Sequence, residues 1–209
     1  MSQEQGEKVR RVPRQARGRA RVEQILDITE RLLAERGYDA LTTNAVAAEA
    51  GISVGALYHF FPNKVAILEA LVARYYAQLL GVLEGVHGDT PALTAETLEG
   101  YVKTLLTALS GFVEGSPSLT PAFLAAASAS SNLAAMDEAN KAEMVSLLAA
   151  RYEVWTQNAA TARRIARMIA AVLDMLFIET AEDDRAANEA FVEETGRVLY
   201  AYLSSYLAP

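Results

Sequence analysis

The chain has no cysteine. That excludes a disulfide framework and a thiolate metal site, and it fits a reducing compartment such as the cytoplasm. His59 and His87 are the two histidines, too few for a His-rich metal site. No closely spaced His/Asp/Glu set accompanies them, so neither a metal nor a cofactor is expected. No unbroken apolar run reaches the thickness of a bilayer; the longest, Met168 to Ile178, is short and contains Asp174. Residues 1–21 are polar and basic and lack the apolar stretch of a secretory signal. No segment alternates apolar and polar residues as a strand does, and none repeats. Gly51-x-x-x-Gly55 lacks the Lys-Ser/Thr that would make it a phosphate loop, and neither Ser53 nor Ser131 sits in a nucleophile elbow. Nothing here assembles a catalytic group, so the chain does not read as an enzyme.

What is present is unevenly charged. The 209 residues carry a net charge of −7, which on its face speaks against a nucleic-acid partner. Residues 1–80 hold 11 Lys/Arg against 9 Asp/Glu, whereas residues 81–209 hold 8 against 17. The first part is therefore +2 and the second −9. Residues 1–21 alone carry Lys8, Arg10, Arg11, Arg14, Arg17, Arg19 and Arg21 against Glu4 and Glu7. Phosphate binding depends on the local field rather than the total. A basic N-terminal part and an acidic remainder suit a protein that presents one end to DNA.

Apolar spacing then supplies helices. Residues 1–16 lack periodicity and read as a flexible basic arm, whose Arg10, Arg11 and Arg14 could enter a minor groove. A first helix from about Gly18 to Arg36 carries Val22, Ile25, Leu26, Leu32 and Leu33 on one face and ends at Gly37. Thr42 or Thr43 caps a short helix of small residues, Ala45 to Ala50. Gly51 supplies the sharp turn, and Ser53 caps a helix from Val54 to Phe61. Pro62 stops it and Asn63 caps the next. Two short helices across a tight turn, the first made of small residues, are what a helix-turn-helix needs, and its second helix can lie in the major groove.

The order GISVGALYHFFPNK, behind a helix of sequence QILDITERLLAERGYDALT, closely resembles the N-terminal domain of the TetR family of bacterial transcriptional regulators. Gly51, Ile52, Ser53, Gly55, Leu57, Tyr58, Phe61 and Lys64 fit the family's pattern across the recognition helix and the start of the fourth helix. The resemblance runs from about Arg17 to Leu71 and is silent beyond. It implies phosphate contacts from Thr43, Tyr58, His59 and Lys64. Base reading would fall to Val54, Gly55, Ala56 and Tyr58, through thymine methyls, backbone and DNA shape. Thr42, Ser53, Arg14 and Arg17 complete the expected DNA-facing set, and Leu57, Phe60 and Phe61 are expected in the core.

The expected fold is all-α: an arm at 1–16, a helix-turn-helix domain at 17–66 and a larger helical domain at 67–209. A long fourth helix, with Leu68, Leu71, Val72, Tyr75, Tyr76, Leu79, Leu80 and Leu83 inward, joins the two domains. Thr94 caps a further helix, and an Ala/Ser-rich helix runs from Thr120 to about Ser131. Others follow over 133–157, 161–182 and 187–207. The last two are apolar on more than one face, which points to a homodimer through residues 161–207, with Ile169 and Leu203 at the contact. An effector cavity is expected among Tyr101, Phe112, Phe123, Ala127, Ser131, Tyr152, Trp155, Met168, Asp174 and Phe177, with Arg167 or the other subunit as the partner of Asp174. The expected function is a cytoplasmic repressor on a near-palindromic double-stranded DNA operator, released by a small-molecule effector. The rival readings are a ligand-free architectural DNA binder and an enzyme working in the C-terminal helices. No membrane partner is expected.

Overall fold

The computed structural model describes residues 14–88, 93–115, 131–179 and 185–206. Among them are eight helices and no strand: α1 (Arg14–Ala40), α2 (Thr43–Glu49), α3 (Val54–Tyr58), α4 (Lys64–Gly88), α5 (Leu98–Gly115), α6 (Ser131–Thr156), α7 (Ala159–Glu179) and α8 (Arg185–Ser204). α1 begins inside the segment expected to be a free arm, because Arg14, Gln15, Ala16 and Arg17 are all good helix formers. The rest of that arm lies outside the described residues. So do Phe123, Ala127, Ser128 and Ser130 and the Ala/Ser-rich helix expected to carry them. Ser131 opens α6.

α2 ends in a Schellman motif that the sequence dictates. Gly51 takes a φ of 63°. Its N–H donates to Ala48 at 3.2 Å, and the next N–H, of Ile52, reaches back to Ala47 at 3.0 Å. A β-carbon at this φ costs roughly 1–2 kcal/mol. Gly51→Ala should therefore lower stability by about that amount, read from urea unfolding, and should weaken DNA binding because it disturbs the angle between α2 and α3. Ala47, Ala50 and Val46 are buried at this crossing, and Leu57 of α3 is fully buried against them.

α4 belongs to both halves. By length and composition it is apolar enough to cross a membrane, which a search for unbroken apolar runs misses because Glu69, Arg74 and Gln78 interrupt it. Its apolar residues serve the bundle: Ile67, Leu68, Leu71, Val72, Tyr76, Leu79, Leu83 and Val86 are buried. Arg74 turns the other way and grips α1, with Nη atoms 3.3 Å from Glu23, 2.6 Å from Asp27 and 2.8 Å from Glu30. The guanidinium is largely covered, so these pairs are screened less than ordinary surface pairs.

A second polar junction joins α4, α6 and α7. The Tyr76 hydroxyl donates to Asp137. Lys141 lies 2.9 Å from Asp137 and 3.2 Å from Asp174. The partner of Asp174 is thus Lys141 on the neighbouring helix, not Arg167 on its own. Burial raises the Asp174 carboxyl's pKa, and the Lys141 charge opposes that shift.

At the centre of the larger domain, His87 Nε2 lies 3.1 Å from the Tyr101 hydroxyl, which lies 2.9 Å from that of Tyr152. All three side chains are buried. Burial, and then the charge of Arg151, depress the His87 pKa from 6.5 to about 4. A folded-state value below the unfolded one means that this contribution to stability is whole above pH 6.5 and is lost as pH falls towards 4. The thermal midpoint should decline across that window, and His87→Gln should flatten the decline.

Candidate nucleic-acid interface

Three side-chain caps start the helices of the N-terminal domain. The Thr42 hydroxyl accepts from the Ala45 N–H at 3.1 Å, the Ser53 hydroxyl from Ala56 at 3.1 Å, and the Asn63 carbonyl from Ala66 at 2.9 Å. Each cap satisfies a backbone donor that would otherwise be orphaned, and each is worth about 1 kcal/mol. A capping hydroxyl accepts with its oxygen and keeps its own proton. Thr42 and Ser53, both exposed, can therefore still donate to a phosphate.

α3 is shorter than the sequence suggested. The Phe60 and Phe61 N–H groups both bond the Leu57 carbonyl, at 2.9 and 3.0 Å, closing a tight turn in place of another helical turn. The face this leaves in solvent is aromatic. Tyr58 is 49% exposed, His59 is exposed, and Phe60, expected in the core, is 38% exposed. Phe61 and Leu57 are buried, as the spacing required. Gly55 is exposed, and Val54 and Ala56 are half-buried beside it. Phe60 is what sequence reasoning missed, because the adjacent pair Phe60 and Phe61 gives no phase once the helix has stopped at Tyr58.

Of the basic residues, Arg17 and Arg19 are exposed on the first turns of α1, and the backbone of Arg14 opens that helix. Thr43 is half-buried at the start of α2. Lys64 departs from expectation. Its Nζ donates to the Tyr38 carbonyl at 2.7 Å and sits 3.9 Å from the centre of the Tyr38 ring. Burial lowers its pKa, and the charge of Asp39 opposes this. The ammonium first ties the start of α4 to the turn after Gly37, and any phosphate would share it. Lys64→Ala should therefore lower the unfolding midpoint as well as DNA affinity, whereas a simple phosphate contact would change affinity alone.

The residues expected around an effector are scattered. Tyr101 and Tyr152 are buried partners, as above. Trp155 is half-buried, its ring 6.2 Å from that of Tyr152, and Phe112 lies 4.8 Å from Tyr75. Met168 is 48% exposed and faces outward, so it does not line an interior site. Ser131 is exposed at the start of α6, and Asp174 is half-buried at the α6–α7 junction. Phe177 lies on α7. Ile169 and Leu203, expected at a subunit contact, are fully buried within the chain. Helix spacing marks an apolar face but does not say which of two such faces looks inward.

A capped helix pair with an exposed second helix, carried on a bundle of longer helices, defines a helix-turn-helix DNA-binding regulator. Residues 25–71 match the model of bacterial regulatory proteins of the tetR family, and residues 97–203 match that of the tetracyclin repressor-like C-terminal domain. The chain belongs to the TetR family. Over 59 residues it is 41% identical to the HTH-type transcriptional repressor KstR of Rhodococcus jostii, a match covering 28% of each protein. Over 102 residues it is 33% identical to the nucleoid occlusion factor SlmA of Pasteurella multocida, covering 48% of each. These matches thus span about half, or less, of the curated relatives' length. The fold is that of a TetR transcription regulator from Haloarcula marismortui, with a TM-score of 0.69 at 19% identity over 91% of this chain and 100% of that one.

Proposed function

We propose that the protein is a homodimeric repressor that works in the cytoplasm, holds a near-palindromic operator through two copies of α3, and is released when a small molecule binds its C-terminal domain. The observation that carries this reading is the solvent-facing aromatic strip Tyr58, His59 and Phe60 beside the capping hydroxyls of Thr42 and Ser53. The repressor among its relatives supports the same direction. The two halves of the operator need two copies of α3, and α7 offers a face for pairing. Met168, Met175 and Ile178 are about half exposed, at helical spacing with exposed Ala171 between them. Val198 of α8 is 55% exposed. α7 and α8 pack against each other, so both exposed residue sets lie on one helix pair. An isologous contact through such a pair forms a four-helix bundle.

Selection of bound sequences from a random DNA pool tests the reading. The expected result is a near-palindrome with half-sites centred about 34–36 Å apart, or a multiple of that spacing, and an affinity that falls steeply with salt. Binding without sequence preference would favour an architectural role instead. Release acts by population shift, so an effector must prefer the dimer whose recognition helices no longer match the half-sites.

A further inference from the structure

α5 and α8 cross closely at one point and leave a groove beside it. A β-carbon on Gly196 would sit 3.0 Å from Leu106 Cδ1, so glycine sets the approach of the two helices. The groove has a volume of about 900 Å³, within the range of small-molecule sites. Residues four apart build its α5 wall: Val102, Leu106, Ser110 and Glu114 in one row, Glu99, Lys103, Thr107 and Gly111 in the next. Tyr200, 41% exposed, forms part of the α8 wall. None of the residues that the sequence suggested for an effector lies here.

We propose that this groove binds an elongated, mostly apolar small molecule with a cationic amine head, seated at the Ser110–Glu114 end. Two observations fix the head. The Ser110 Oγ is buried at the groove and has no hydrogen-bond partner among the described residues. A buried unpaired hydroxyl is unfavourable, and an amine N–H would satisfy it. Glu114 stands one turn further along α5, and no ion pair engages it among the described residues. The cations of the rim are already offset or distant. Arg197 is held by Glu193 at 2.6 Å and Glu194 at 2.7 Å, and Lys103 lies one turn from Glu99, at the other end. From Glu99 to Glu114 the groove follows about 22 Å of helix at 1.5 Å per residue, so its occupant is long and narrow. Gly111 borders open space, which leaves room for it.

Competition against an uncharged fluorescent reporter, N-phenyl-1-naphthylamine, tests the site on the full chain. Decylamine should displace the reporter at about one-tenth the concentration that decanoate needs, and Glu114→Gln should erase the difference. Gly111→Phe fills the groove from an open position, so it should abolish reporter binding while the helical circular dichroism is kept. Thr107→Phe does the same from the next turn should the first variant misfold. Reporter binding untouched by either filling variant, no reporter binding at all, or decanoate equal to decylamine overturns the proposal. Operator binding in the same titration separates this site from the release reading on which its regulatory meaning rests. Decylamine bound in the groove with DNA still held keeps the site and defeats release. Release that survives Gly111→Phe keeps release and places it outside this groove, which defeats the groove's regulatory meaning.

Discussion

Met168→Arg together with Met175→Arg should turn the protein into a monomer and lower operator affinity by about 100- to 10,000-fold, the range over which a second linked contact multiplies binding. Both side chains are 48% exposed on the outer face of α7, so the change adds charge to solvent in the free chain and to an apolar contact in the dimer. A charge desolvated at such a contact with no partner is strongly unfavourable. Sedimentation at micromolar concentration reads the assembly state, and a fluorescence-anisotropy titration reads the operator. A variant that remains dimeric removes α7 from the interface. The expectation from sequence, Ile169→Arg or Leu203→Arg, would test something else. Both residues are fully buried within the chain, and an arginine there would unfold it.

Tyr152→Ala should destabilise the C-terminal domain by about 3–5 kcal/mol, the usual cost of deleting a buried aromatic ring. Tyr152 is fully buried, and its hydroxyl is 2.9 Å from that of Tyr101. Domains have total stabilities of roughly 5–15 kcal/mol, so this one substitution consumes a large share. Tyr152→Phe keeps the ring and removes the hydroxyl, and it should cost about 1 kcal/mol. Urea unfolding of the pair separates packing from hydrogen bonding. A small loss for the alanine variant would mean that the ring borders space and not a packed core.

The helix-turn-helix was legible because its grammar is local. Thr42, Gly51, Ser53 and Asn63 act on backbone groups within a few residues, and each was found where the chain order put it. Helix spacing likewise found the inner face of α4. The C-terminal domain was legible as helices but not as a site. Met168 and Ile169 are neighbouring apolar residues, yet one faces solvent and the other the core. Only the packing of α7 on α6 and α8 decides which. The partner of Asp174 is Lys141, 33 positions away, and the Lys64 ammonium rests on Tyr38, 26 positions away. Such pairings depend on tertiary geometry, which residue order alone does not encode at short range. The α5–α8 groove was missed for a related reason: its glycines, Thr107 and the half-buried Ser110 carry no apolar signal.

The grip of Arg74 on α1 bears on anyone who would build chimaeras from this protein. A hybrid cut at residue 66 would carry Glu23, Asp27 and Glu30 into the new molecule without the guanidinium that faces them. The donor's α1 would then meet a foreign fourth helix without the guanidinium that clasps it, and the read-out head would hang loosely from its new body. The transferable module ends a full turn past Arg74. A hybrid joined there keeps its own clasp, and its recognition helix takes its bearing from α4 whichever body lies beneath.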